Sequence, residues 1–205
     1  MSLFILIRHG HTEMLGKRIS GRMAGVHLSE KGREQVAELC RRLLRVKIEA
    51  VYSSPLERAW ETAEALASCH GLSVRACPEL NEIDFGEWAG QTLAELEVDP
   101  RWRTFNTFRS GTRAPGGEMM VEAQARAVAG LDRLRQAHGN GTLALVSHGD
   151  VIRGLIWHFA GIPLDLGLRV TLSPCSVSGL EIGEGWVRLH CVNETGRLEE
   201  VLKER

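Results

Sequence analysis

Leu3-Phe4-Ile5-Leu6-Ile7-Arg8-His9-Gly10-His11-Thr12 runs from five consecutive apolar residues straight into a cluster of cationic and proton-carrying side chains. Five apolar positions without polar alternation suit a strand buried on both faces, as in a parallel sheet. The residues downstream of this stretch support that reading. Residues 30–46 place Val36, Leu39, Cys40, Leu43 and Leu44 on one helical stripe, with Ser29 as N-cap. Ala50-Val51-Tyr52-Ser53 reads as a second strand. Ser54-Pro55-Leu56-Glu57 reads as a capping box with proline at N1, opening a helix to about residue 69.

The alternation continues. Leu72–Ala76 is expected as a third strand, and Thr92-x-x-Glu95 as the start of a short helix. Residues 99–117 show no clean period and are expected as an irregular excursion. A helix over about 118–138, a strand over Thr142–Val146 and a helix from near 149 to Ala160 come next. Ser176–Ile182 and Trp186–Val192, joined by Gly183-Glu184-Gly185, read as a β-hairpin. The expected architecture is a single α/β domain over 1–205, a three-layer αβα sandwich. Its sheet is open and mostly parallel, with helices on both faces.

In such sheets ligands sit beyond the carboxyl ends of the strands. Arg8, His9 and His11 lie there after the first strand. Arg58 lies in the helical turn after the second. Ser147-His148-Gly149-Asp150 comes after the strand at 142–146. Arginine forks bind a phosphoryl group. Gly10 and Gly149 let backbone approach a ligand, and helix N-termini favour anions. A neutral imidazole flanked by guanidinium groups can attack phosphorus.

Charge narrows the functional classes. The chain of 205 residues carries 25 Lys+Arg against 26 Asp+Glu, a net charge of −1, which argues against a general nucleic-acid binder. No apolar run is long enough for a membrane span. The N-terminal stretch lacks a signal peptide's basic region and cleavage site, so a cytoplasmic location is expected. The five cysteines have no C-x-x-C spacing, which makes a disulfide framework or zinc ribbon unexpected.

Several segments resemble, in order, motifs of the histidine phosphatase superfamily, the phosphoglycerate mutase-like family. Arg8-His9-Gly10-His11-Thr12 resembles its R-H-G motif. Ser53-Ser54-Pro55-Leu56-Glu57-Arg58-Ala59-Trp60-Glu61-Thr62-Ala63 resembles its S-S-x-x-x-R-A-x-x-T-A segment. Leu80 to Gly90 resembles L-x-E-x-x-F-G-x-W-x-G. Pro115-Gly116-Gly117-Glu118 resembles its P-G-G-E helix start, and Val146-Ser147-His148-Gly149 its second histidine motif.

The resemblance implies a metal-independent phosphomonoester hydrolase, without a cofactor, acting on a small phosphorylated metabolite. His9 would be the nucleophile. Arg8, Arg58 and His148 would hold the phosphoryl oxygens. Glu82 would give a proton to the leaving oxygen and take one from water. Gly10, Thr12, Ser20, Gly21 and Gly149 would complete the phosphate shell. The alternative is a cofactor-dependent phosphoglycerate mutase; mutases of this family are generally longer, which places this chain nearer the phosphatase branch with α-ribazole phosphatase and broad acid phosphatases. Three positions depart from the family pattern. Leu15 stands where many members carry a phosphate-contacting Asn, Ala24 where they carry Gln, and His11 where they often carry Glu.

Other residues have plainer readings. His9 and His11 form an H-x-H pair, but the barrel hydrolases that use one for metal need about 250 residues, and no ligand set completes it here; no metal is expected. His27, His70, His138, His158 and His190 read as structural or solvated. Asp150 reads as a first-turn acid favoured by the helix dipole, with orientation of His148 as the alternative. Trp88 and Trp157 read as core. Trp102, Phe105 and Phe108 read either as a lid or as loop anchors. Arg101, Arg103, Arg109 and Arg113 against Asp99 give residues 99–117 a local excess of cations. Among them Arg109 and Arg113 are candidates to meet a second anionic group on the substrate. The hairpin edge at 176–192 could pair with a second copy in a homodimer.

Overall fold

β1 (Ser2–Arg8) lies inside a six-stranded sheet, with β4 (Thr142–Ser147) parallel on one side and β5 (Val177–Ile182) antiparallel on the other. The strand order is β3-β2-β4-β1-β5-β6, with β2 (Ala50–Ser53), β3 (Val74–Ala76) and β6 (Val187–Glu194). The computed structural model describes residues 1–196 and Leu198. The β3-β2-β4-β1 portion is parallel and the β5–β6 hairpin antiparallel. This is the mostly parallel α/β sheet expected from the sequence.

The run of apolar residues in β1 is explained by burial on both faces. Leu3, Ile5 and Ile7 enter one core with Val36, Leu39 and Leu43 of α1 (Glu30–Leu43) and Ala59, Ala63 and Leu66 of α2 (Glu57–Cys69). Phe4 and Leu6 enter the opposite core with Leu131 and Leu134 of α5 (Met120–His138) and Ile152 and Leu155 of α6 (Gly149–Ala160). Alternate side chains of one strand thus anchor different helical layers. Ser29 caps α1, accepting from the Gly32 amide at 3.1 Å. Gly161, in the left-handed region at φ 68°, ends α6.

Two expectations need correction. Ser54 does not cap α2. The helix begins at Glu57 with Leu56 as N-cap and no side-chain cap. The Ser54 hydroxyl faces Asn81 and His148 instead, and Glu57 accepts from the Gly25 amide at 2.9 Å. Residues 99–117 are also not simply irregular. Thr92 and Glu95 form a true capping box on α3 (Leu93–Glu97), and α4 (Pro100–Thr107) comes next with Asp99 as its cap and Pro100 at its first position. Periodicity missed α4 because only Trp102 and Phe105 of it are apolar and turned inward. They pack with Phe85 and Trp88 in a third small core beside the sheet. Trp102 and Phe105 are therefore anchors, whereas Phe108 is exposed. Trp88 and Trp157 are buried in the core.

Candidate active site

Sheet topology brings Arg8, Arg58 and His148 around His9. The main chain sets the His9 tautomer. Its Nδ1 lies 2.7 Å from the Gly10 carbonyl oxygen, which can only accept, so Nδ1 carries the proton. The lone pair of Nε2 is thereby left facing Arg58, whose Nε donates to it at 3.3 Å. Burial, with Arg58 and Arg8 close by, holds the His9 ring well below the ordinary imidazole range. The ring is neutral, and its Nε2 lone pair accepts from a guanidinium.

Arg58 has no exposed surface. Its Nη2 donates to the Gly21 carbonyl at 2.8 Å, and its Nη1 is buried without a hydrogen-bond partner. Gly21 itself sits at φ 47°. Arg8 fixes one end of its guanidinium on the Leu172 carbonyl and leaves Nε unpartnered. His148 is also fully buried, its ring edge-on to His9 at 5.1 Å between centroids. Its Nε2 lies 2.8 Å from the Ser54 hydroxyl, which donates onward to Asn81, so Nε2 holds the proton. Nδ1 of His148 has no hydrogen-bond partner and lies 4.0 Å from Glu82. Burial and Arg58 keep this ring neutral too.

Thus three buried polar atoms, Arg8 Nε, Arg58 Nη1 and His148 Nδ1, are left without partners around one neutral imidazole. A buried group of this kind is costly unless a ligand completes it. Glu82 stands across from them. Its Oε1 accepts from the Ile83 amide at 3.0 Å, and burial, reinforced by the Asp150 carboxylate, raises its carboxyl to about 7.

These groups border a cleft of about 160 Å³ lined by Arg8, His9, Thr12, Ser20, Gly21, Glu82 and Gly149. Arg58 and His148 adjoin lining residues, Arg58 bonding His9 and His148 lying 4.0 Å from Glu82. Gly149 opens α6 with His148 as N-cap, so first-turn amides of that helix point to this end of the sheet. Gly10 does not line the cleft. Its missing Cβ is demanded by α1, because a Cβ there would lie 2.9 Å from the Gly32 carbonyl oxygen.

Neither arginine singled out for substrate recognition reaches the cleft. Arg109 is buried on Asp150 at 2.8 Å and over the Phe105 ring. Arg113 is exposed and paired with Glu122. Asp150 does not orient His148; it joins Arg109 and Arg153. Two arginines missed from the sequence, Arg18 and Arg153, line the cleft instead. Arg153 lies one helical turn after His148–Gly149, a spacing that could have flagged it. Leu15, Ile19, Phe85 and Leu93 make part of the wall apolar, so the position where relatives hold an Asn is hydrophobic here. His11 turns away to the Ser29 hydroxyl at 2.8 Å, so the H-x-H rings have different partners. Among the described residues no three His, Cys, Asp or Glu side chains form a metal-holding group.

A family model for the histidine phosphatase superfamily, branch 1, matches residues 4–195. The chain is 34% identical over 201 residues to the Mycobacterium tuberculosis bifunctional protein Rv2228c, covering 95% of this chain and 54% of that one. It thus spans about half the length of the first curated relatives it matches. It is 31% identical to a probable phosphoglycerate mutase, GpmB, of Erwinia tasmaniensis, over 95% of this chain and 94% of that one. Among solved structures, a phosphoserine phosphatase mutant from Entamoeba histolytica in complex with phosphoserine matches with a TM-score of 0.85 and 28% identity, over 97% of this chain and all of that one.

Proposed function

Because the chain belongs to the histidine phosphatase superfamily, we propose that it hydrolyses a small phosphomonoester through a phosphohistidine on His9. The observation that carries this reading is the set of three unpartnered buried atoms, on Arg8, Arg58 and His148, around a neutral His9 whose Nδ1 is already protonated. Arg8 Nε and Arg58 Nη1 are preorganised donors for phosphoryl oxygens, and His148 Nδ1 becomes a third when it takes up a proton.

In the first step the Nε2 lone pair of His9 forms a bond to phosphorus. The bond from phosphorus to the ester oxygen breaks, and its electron pair leaves on that oxygen. Glu82 protonates the departing oxygen, a role suited to a carboxyl raised to about 7. In the second step Glu82, now ionised, takes a proton from water. The water oxygen bonds to phosphorus, the P–N bond breaks, and its electrons return to Nε2. The positive charge that a metal supplies elsewhere comes here from two guanidinium groups and an imidazole that can charge. The small cleft suits a small substrate, and its apolar wall would face the leaving group.

His9→Ala tested with p-nitrophenyl phosphate at mildly acidic pH decides the matter. Turnover should vanish in the variant, persist in the wild type with EDTA, and be blocked by vanadate, which mimics the pentavalent transition state. Turnover surviving in His9→Ala refutes the proposal. The likeness to GpmB favours one second reading, a mutase, in which the phosphoryl group on His9 passes to another alcohol. A coupled assay with 3-phosphoglycerate, with and without 2,3-bisphosphoglycerate, separates the two.

A further inference from the structure

Among the described residues Asp150 is the one acid lining the cleft that the two-step reaction leaves unused, and its setting is unusual. Arg109 Nη1 and Arg153 Nη1 both bond its Oδ1, each at 2.8 Å. Neither arginine is loose. Arg109 has a 4% exposed side chain, bonds Asn106 and lies over the Phe105 ring of the third core. Arg153 donates to the Val170 carbonyl at 2.8 Å. The carboxylate is therefore held in place from α4's end and from α6 itself. Burial alone would favour its neutral form, but the two guanidinium groups outweigh it and hold Asp150 at about 2, a permanent anion.

The charges facing Glu82 come from four elements. Arg8 stands at the end of β1, Arg58 on α2, His148 after β4 and Asp150 on α6. Arg22 and Arg126 bond the Glu82 backbone carbonyl. The two arginines near its carboxyl favour the ionised form, which cannot donate a proton; Asp150 opposes them. Asp150 and Glu82 line the same cleft; without Asp150 the guanidinium groups of Arg58 and Arg8 would face the Glu82 carboxyl with burial alone opposing them, and its ionised form would gain.

We propose that Asp150, clamped between Arg109 and Arg153, is a positioning residue that keeps the Glu82 carboxyl in its proton-bearing form for departure of the leaving group. This rests on the phosphatase reading above. It goes beyond a helix-terminal acid or a brace between α4 and α6, because either of those roles would leave the titration of Glu82 alone.

The test is the pH profile of kcat/KM for glycerol 2-phosphate, an alkyl ester whose leaving oxygen needs a proton. Wild type, Asp150→Asn and Arg153→Met are compared, with p-nitrophenyl phosphate, a good leaving group, run beside it. Substrate ionisation is common to all three enzymes and cancels. On the alkyl ester the basic limb should move down in Asp150→Asn and up in Arg153→Met by about one pH unit or more, since a unit charge within about 12 Å at an effective dielectric of ~20 is worth at least about 1.4 kcal/mol. The p-nitrophenyl ester should show a smaller shift. Limbs that coincide, or that move in the same direction in both variants, overturn the proposal. If Asp150→Asn does not fold, Arg153→Met decides alone: an unmoved or lowered limb overturns it. A wild type that turns over neither ester fails the phosphatase reading instead.

Discussion

Replacing Arg58 by Met sets function against stability, and the structure gives the sizes. The guanidinium has no exposed surface, bonds Gly21 at 2.8 Å and His9 at 3.3 Å, and leaves Nη1 unbonded. Loss of a charged donor to a buried carbonyl costs about 1.5–3 kcal/mol. Against that, a guanidinium held out of water carries a desolvation cost of several kcal/mol. Arg8 adds repulsion, and Glu82 and Glu57 offset part of it. Met keeps most of the aliphatic stem, so little cavity is left. We expect the two effects to cancel to within about 1 kcal/mol, which for a chain of this size is a Tm change of about 2–4 °C. Catalysis has no such offset. Removing a preorganised donor from a transferring phosphoryl group costs ~10³-fold in kcat/KM or more, about 4 kcal/mol. Thermal unfolding in phosphate-free buffer, repeated with vanadate, and kinetics on p-nitrophenyl phosphate read all three quantities. Vanadate should raise the Tm of the wild type and leave that of Arg58→Met unmoved. A Tm loss of about 8 °C or more would show that Arg58 is a structural strut, and kcat/KM within about tenfold of wild type would refute its place in the site.

Three further outcomes rest on the same geometry. His9 and His148 are held below the ordinary imidazole value of 6.5, so the unfolded chain takes up protons there that the native one refuses; their stability contribution is full above about pH 6.5 and is lost as pH falls. Glu82 acts oppositely between 4.5 and about 7, so Glu82→Gln should steepen the acid loss of unfolding free energy by about 1.4 kcal/mol per pH unit in that window; matching slopes in urea titrations would refute the assignment. Gly32→Ala would place a Cβ 2.1 Å from the His11 carbonyl oxygen and push on the segment that carries His9. It should cost about 1–3 kcal/mol in denaturant unfolding and lower kcat, whereas wild-type kinetics would show that α1 can yield. Arg113→Ala should leave kcat/KM unchanged across a panel of phosphoesters, because Arg113 is spent on Glu122 at the surface; a selective rise in KM for doubly anionic esters would contradict that placement.

The inner parallel strands β1, β2 and β4 were legible because they are buried on both faces and so read as short, mainly apolar runs, and the placement of Arg8, His9, Arg58 and His148 beyond their ends came from that alone. Glu82 was not legible that way. It lies between two short 3-10 turns and was reached through the family resemblance. What the sequence concealed was competition for polar partners. Ser54 has every local mark of a helix cap, yet its hydroxyl lies against the equally buried His148 and donates to Asn81. Arg109 sits in a cationic stretch that looks open to ligand, but Asp150, 41 positions along the chain, neutralises it. Helix α4 escaped because two inward aromatics are too few to show a period, although Asp99-Pro100 marks its start.

The loss of Ser54 as a cap has a consequence for how the cleft takes its ligand. With the Ser54 hydroxyl donating to Asn81, His148 must keep its proton on Nε2, and the nitrogen nearest the oxyanions is a bare lone pair. A bare lone pair repels a phosphate dianion. Seating the dianion therefore requires Nδ1 to pick up a hydrogen ion from solution, so ligand binding and proton uptake are a single linked event. The heat of phosphate binding should then vary with the ionisation enthalpy of the buffer, by the equivalent of about one proton near neutral pH. Ser54→Ala, which frees the ring to adopt its other tautomer, should lessen that dependence.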